Sequence, residues 1–147
     1  MKFYLCGAIR GGRSFQSIYQ IIHEYLEKKG HKVLDHHISS PDVIEIEDKM
    51  TDKEIYNQDI KWLKECDGVI AETSLPSLGV GYEISYALDS LHKPVLTLYN
   101  KSKTPISAMI SGNTSKYLTL CSYSDTSELL RHIQQFIEYL EETLRLE

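Results

Sequence analysis

The chain has 147 residues, 41% of them hydrophobic and 25% charged, which suits one folded domain of ordinary size. Its formal net charge of −5 argues against a nucleic-acid polymer as the main partner, while a small anion can still find a local positive site. Cys6, Cys66 and Cys121 are odd in number and form no CxxC pair, which argues against a disulfide framework or a zinc site. No stretch approaches the ~20 apolar residues of a membrane span. The opening KFYLCGAI is too short for a signal peptide and no cleavage region follows it, so the expected compartment is a reducing cytoplasm.

The first apolar run, residues 3–9, has strand length and leads into GAIRGGR, residues 7–13. Gly7, Gly11 and Gly12 let backbone amides approach a ligand, and Arg10 and Arg13 add positive charge. The helix that starts near Arg13 presents free N–H groups. The segment reads either as an anion site or as a tight turn with solvated arginines. It is neither a P-loop nor a GxGxxG fingerprint, which disfavours a nucleoside triphosphatase or a dehydrogenase. Phe15, Ile18, Ile22, Tyr25 and Leu26 form the apolar stripe of a first helix, closed by Gly30. A second strand, 32–35, runs up to His36 and His37, and no third metal ligand stands at a sensible spacing. Residues 39–49 are acidic and weakly periodic, and read as a surface loop or a lid.

Thr51 and Glu54 form a capping box before a helix whose Ile55, Trp62, Leu63 and Cys66 share one face. Asp59 falls on that face, while Asn57, Lys61 and Lys64 are available to water. A carboxylate on a core-facing stripe is costly unless it is paired or opens on a cleft. It is either an acid suited to proton transfer or a structural group bonded to amides or an arginine. The third strand, 68–73, precedes ETSLPSLGVGYE, residues 72–83. Ser77 is a natural N-cap for a helix that starts at Leu78 and Gly79, and its open first turn suits a phosphate. Ser77 either binds that phosphate or only caps the helix. Glu83 borders the stripe Ile84, Ala87, Leu88 and Leu91, which Pro94 stops. It is a solvated residue favoured by the helix dipole, or an active-site acid. A fourth strand (94–99), a polar turn (100–104), an ordinary helix start at Ser107, a fifth strand (117–121) and a last helix carrying Leu129, Ile133, Phe136, Ile137, Leu140 and Leu144 complete the chain.

Strand–helix alternation predicts an α/β fold: a doubly wound, five-stranded parallel sheet, flavodoxin- or Rossmann-like, with order 2-1-3-4-5 and helices on both faces. Residues 1–147 are expected to form a single domain. Strands 1 and 3 then meet at the topological switch point, where ligands bind beyond the carboxyl ends of the strands. This brings GAIRGGR next to ETSLPSLGVGYE. Glu83 and Asp59 facing one anion-binding cleft suggest glycosidic chemistry, one attacking the anomeric carbon and the other handling protons. Tyr4 is either a core tyrosine or a hydroxyl near that cleft.

YLCGAIRGGR (4–13), YNQDIKWLKECDGVIAE (56–72), PSLGVGYE (76–83) and SAMISG (107–112) resemble, in order and spacing, the 2'-deoxynucleoside 5'-monophosphate N-glycosidases of the nucleoside 2-deoxyribosyltransferase superfamily. The resemblance covers nearly the whole chain. It implies hydrolysis of the N-glycosidic bond to a free base and 2-deoxyribose 5-phosphate. Glu83 resembles the nucleophile of a covalent glycosyl-enzyme, Asp59 its partner carboxylate, and Tyr4 a tyrosine beside sugar and nucleophile. Gly7, Ile9, Arg10 and Gly12 are implied to line the nucleotide pocket, and Ser77 and Gly79 to bind the phosphate. His37 occupies the place of a family histidine near the base. Ser107 resembles a phosphate ligand donated by the neighbouring subunit, which implies a homodimer. The family needs no metal or cofactor.

His36 stands where the family often has an acid, and residues 39–49 match no family pattern, so the preferred base stays open. Two further readings also stay open. One is a ribonucleotide N-glycosidase of the cytidine monophosphate type, or a nucleoside 2-deoxyribosyltransferase. Serine at 107, where the transferases have an asparagine, favours hydrolysis over transfer. The other is a non-catalytic nucleotide-binding module, against which the Glu83–Asp59 pair argues.

Overall fold

A computed structural model describes residues 1–35 and 37–145 of the protein. The elements, in order, are β1 (Lys2–Gly7), α1 (Gln16–Lys28), β2 (Lys32–Leu34), α2 (Val43–Glu47), α3 (Asp52–Glu65), β3 (Gly68–Glu72), α4 (Leu78–Ser85), β4 (Val95–Asn100), α5 (Ala108–Ser111), β5 (Leu118–Tyr123) and α6 (Thr126–Arg145). The five strands form a parallel sheet in the order β2-β1-β3-β4-β5, as the alternation predicts. β1 and β3 lie side by side, with Tyr4 opposite Val69 and Gly7 opposite Glu72.

Successive strand residues point to opposite faces, and the core divides accordingly. Phe3 and Leu5 of β1 pack with Tyr19, Ile22 and Leu26 of α1 and with Ile133, Phe136 and Leu140 of α6. Tyr4 and Cys6 turn to the other face, where Leu63 of α3 and Val80 and Ile84 of α4 cover them. Each fully buried side chain of this size is worth about 1.5–3 kcal/mol, so both helical layers are firmly attached. The split also decides the chemistry: the third residue of β1, Tyr4, faces the same layer as the helices carrying Asp59 and Glu83.

Local signals explain the boundaries. The Gly30 and His31 amides return to the carbonyls of Glu27 and Leu26 at 2.9 and 3.0 Å, which ends α1 in a Schellman turn. The Thr51 side chain accepts from the Glu54 amide, and the Glu54 carboxylate accepts from the Thr51 amide, so the capping box forms at the start of α3. After Ser85, α4 continues as one widened π-turn, Tyr86–Ser90.

Residues 39–49 differ from a plain surface loop. They contain α2, with Val43 and Glu47 buried. Arg13 donates to the carbonyls of Ile38 (2.6 Å) and Ser40 (2.9 Å), and Gln16 donates to that of Ser39. Arg13 therefore anchors this segment to the start of α1. His36, noted in the sequence for its place beside the base-side histidine, lies outside the described residues. No helix among the described residues is long and apolar enough to cross a membrane.

Candidate active site

The carboxyl ends of β1 and β3 open into a cleft between the GAIRGGR turn, α2, α3 and the start of α4. Its main cavity, of about 500 Å³, is lined by Gly7, Ile9, Arg10, Gly11, Glu47, Asp59, Ser77, Gly79 and Glu83 among others. A recess of about 30 Å³ continues it to Tyr4, Cys6 and Ile38. A side hollow of about 310 Å³ reaches Tyr56 and Tyr82. The cavity falls in the usual range for small-ligand sites.

Glu83 sits one and a half turns into α4, half-buried, with its carboxylate over β1. The Tyr4 hydroxyl donates to its Oε1 at 2.8 Å. Burial pushes the Tyr4 hydroxyl well above its ordinary pKa, and the Glu83 and Asp59 carboxylates push it further. Tyr4 therefore stays protonated and remains a donor. The Cys6 thiol, on the same face of β1, also bonds to Glu83 and is raised well above its ordinary value, first by burial and then by that carboxylate. It stays a thiol, which removes it as a nucleophile. Asp59, half-buried on α3, shares all three parts of the cleft with Glu83. The cleft thus brings Asp59 and Glu83 together, with Glu47 on its wall, and a phenol fixes Glu83.

The other end of the cavity is the first turn of α4. Ser77 caps this helix, its Oγ accepting from the Val80 amide at 3.3 Å. Ser77 and Gly79 line the cavity at this positive helix end, where an anion is favoured. Gly11 lets the two loops meet: a Cβ there would lie 2.5 Å from the Pro76 carbonyl oxygen. Gly12, at φ +132°, adopts a conformation that L side chains rarely take. Gly12 shapes the turn, while Gly11 is the residue that lines the cavity. Arg10 lies at the mouth and pairs with Asp48 at 3.1 Å and Glu47 at 3.6 Å.

The structure brings together Tyr4, Gly7, Ile9, Arg10, Asp59, Ser77, Gly79 and Glu83. It does not bring His37 or Ser107 of the same chain into the cavity. His37 is exposed at φ 59° and its amide bonds to Asp35 at 2.9 Å. Ser107 is exposed, caps α5 by accepting from the Met109 amide at 3.3 Å, and lines a separate hollow of about 660 Å³ beyond α4. Ser77 and Leu78 border both hollows. Among the described residues no group of three His, Cys, Asp or Glu is placed to hold a metal ion.

Sequence reasoning missed Cys6 and Glu47. Cys6 was recoverable, because a strand residue two after Tyr4 must share its face. Glu47 had only the i, i+4 spacing to Val43 as a signal, on a helix of five residues. Glu72, fully buried at the end of β3, was also missed. It accepts from the Ser74 amide (3.2 Å) and hydroxyl and from Tyr123 (3.0 Å), which is a structural role on the opposite side of the sheet.

Comparison with known proteins adds to this geometry. The nucleoside 2-deoxyribosyltransferase family profile matches residues 3–125. A Methanosarcina mazei protein bearing the name of a 2'-deoxynucleoside 5'-phosphate N-hydrolase is 41% identical over 140 residues, 95% of this chain and 85% of its own. The 5-hydroxymethyl-dUMP N-hydrolase of Danio rerio is 38% identical over 142 residues, 95% of this chain and 98% of its own. The solved structure of Clostridium botulinum CMP N-glycosidase, BcmB, shares the fold at a TM-score of 0.67 and 20% identity, covering 92% of this chain and 99% of that one.

Proposed function

The chain belongs to the nucleoside 2-deoxyribosyltransferase family, and on that premise we propose that it hydrolyses the N-glycosidic bond of 2'-deoxynucleoside 5'-monophosphates. The observation that carries this reading is the Tyr4–Glu83 hydrogen bond, at 2.8 Å, in a cavity that also reaches Asp59 and the first turn of α4. The relatives named N-hydrolases, at about 40% identity, support it.

With the 5'-phosphate at Ser77 and Gly79, the sugar lies over Glu83. The Tyr4 bond holds Oε1, and the second carboxylate oxygen attacks the anomeric carbon. The C–N bond breaks and its electron pair leaves with the base. Positive charge that develops on the ring is stabilised by the carboxylate, and a deoxyribose lacks the 2'-hydroxyl that would oppose it. Asp59 handles protons: one delivered to the departing base, one taken from the water that opens the glycosyl–Glu83 ester. The products are a free base and 2-deoxyribose 5-phosphate. The phosphate supplies remote binding energy that orients the reacting centre.

The proposal extends to assembly. All 147 residues act as one domain, in a homodimer, with Ser107 reaching the partner's phosphate site. Leu78 and Met109, 97% and 82% exposed on the hollow that holds Ser107, form an apolar surface suited to a second copy. The free thiols of Cys6, Cys66 and Cys121 fit a reducing cytoplasm.

The test is chromatography of deoxy- and ribonucleoside 5'-monophosphates after incubation with wild type and Glu83→Ala. Release of base from the deoxynucleotides by wild type alone is expected. Equal release by both proteins would remove Glu83 from the mechanism, and preferential release from ribonucleotides would shift the substrate class.

A further inference from the structure

Glu72 and Ser74 form a buried polar cluster at the end of β3, 0% and 5% exposed. Neither lines any of the three parts of the cleft that hold Glu83. Ala71 turns toward α4, so Glu72, the next residue, points to the opposite face of the sheet. We propose that Glu72 is a positioning residue for the substrate's phosphate: through Ser74 it sets the loop that delivers Ser77 and Gly79 to the cleft. This rests on the phosphate site proposed above.

A carboxylate buried in a core is costly unless donors surround it. The Glu72 Oε2 accepts from the Ser74 amide at 3.2 Å, and its Oε1 accepts from the Tyr123 hydroxyl at 3.0 Å and from the Ser74 hydroxyl. The Ser74 Oγ in turn accepts from the Asn100 amide at 2.7 Å. Asn100 ends β4, so Ser74 is clamped between two neighbouring strands. The residue before it is tied to β4 as well, since the Thr73 amide and hydroxyl both donate to the Leu98 carbonyl, at 2.8 and 3.1 Å. Only Leu75 and Pro76 separate this clamp from Ser77. So short a span leaves the cap little freedom once Ser74 is fixed. Its other side abuts the GAIRGGR turn. A Cβ at Gly11 would lie 2.5 Å from the Pro76 carbonyl oxygen, and one at Gly12 would lie 3.5 Å from the Leu75 side chain. The two loops that wall the phosphate end are therefore seated on one another, and Glu72 is the group that holds the 73–77 loop in register. A shift of about 1 Å in such a support is enough to spoil the alignment of a bound substrate.

The test measures binding of 2-deoxyribose 5-phosphate by calorimetry, together with Tm and with KM and kcat on a cleaved deoxynucleotide. The proteins are wild type, Glu72→Ala, Ser74→Ala and Tyr123→Phe. Each variant breaks a bond within the buried cluster, so each should melt below wild type. Only the first two release residue 74. Their affinity for the sugar phosphate should fall, and their KM rise, by about tenfold, the worth of one hydrogen bond to a charged group. Their kcat should stay within about threefold of wild type, because Tyr4 still holds Glu83. Tyr123→Phe leaves the Ser74 bonds in place and should bind within about twofold of wild type. Ser74→Ala carries the test if Glu72→Ala does not fold. Wild-type affinity in Ser74→Ala, or an equal loss in Tyr123→Phe, would overturn the proposal and leave hydrolysis intact. A wild type that binds the sugar phosphate but cleaves no deoxynucleotide would defeat hydrolysis, while the affinities still decide the role of Glu72. A wild type that binds no sugar phosphate would defeat both.

Discussion

Tyr4 and Glu83, 79 positions apart in the chain, are joined by a 2.8 Å hydrogen bond from the phenol to Oε1. The bond ties the middle of the sheet to the first turns of α4 and fixes the orientation of the carboxylate. Replacing Tyr4 by Phe keeps the ring in the core and removes only the donor. The expected result is a fall in kcat of about 10–100-fold with little change in KM, because the phosphate contacts survive. Steady-state kinetics on a cleaved deoxynucleotide checks this. An unchanged kcat would mean that the phenol is only packing.

The sequence allows Ser77 to be either a cap or a phosphate ligand, and two variants separate the roles. Its Oγ accepts from the Val80 amide at 3.3 Å, so Ser77→Ala should lower stability by about 1 kcal/mol, or about 2–4 °C in Tm. Ser77→Asp keeps a good cap and places a negative charge where the phosphate binds. Its Tm should stay near that of wild type while KM rises more steeply than in Ser77→Ala. Full activity in Ser77→Asp would reduce Ser77 to a cap.

The strand and helix framework was legible because period-2 and period-3.6 patterns alternate cleanly and carry strong punctuation at Gly30, Thr51, Ser77 and Pro94. Asp59 and Tyr4 could be assigned a face from those periods alone. Glu47 and Cys6 could not be given a function this way. A five-residue helix has too few turns to establish a period, and a buried cysteine in a strand looks like any small apolar residue. His37 and Ser107 fell outside the single-chain cavity because a motif fixes a residue's place in sequence, while its neighbours depend on loops or on another subunit.

The assembly can be tested at Met109, which borders the Ser107 hollow and not the Glu83 cavity. An Asp in its place would put charge on an apolar contact. Sedimentation should show wild type as a dimer and Met109→Asp as a monomer, with most activity lost because each site lacks its partner's Ser107. A wild-type monomer with full activity would contradict the shared site.

Stability should fall on the alkaline side. Burial raises Cys66 from an ordinary 9.0 to about 11, and raises Tyr4, Cys6 and Tyr123 as well. A group whose folded pKa is raised holds its proton more tightly when folded. Its contribution is complete below the unfolded pKa and is lost as pH climbs through the folded one. For Cys66 that window is pH 9 to about 11, at no more than about 1.4 kcal/mol per pH unit. Denaturant titrations across this range should show falling stability, with a shallower slope in Cys66→Ser. Equal slopes would mean that Cys66 titrates alike in both states.

The central claim is that Glu83 bonds to the sugar. Adding methanol as a competing acceptor traps the product as a methyl glycoside that cannot mutarotate, and proton NMR reads its anomeric configuration. A β-nucleotide that passes through glycosyl–Glu83 undergoes two inversions and must give the β-methyl 2-deoxyribofuranoside 5-phosphate. The α-anomer would mean direct displacement by the acceptor, with no covalent bond to Glu83.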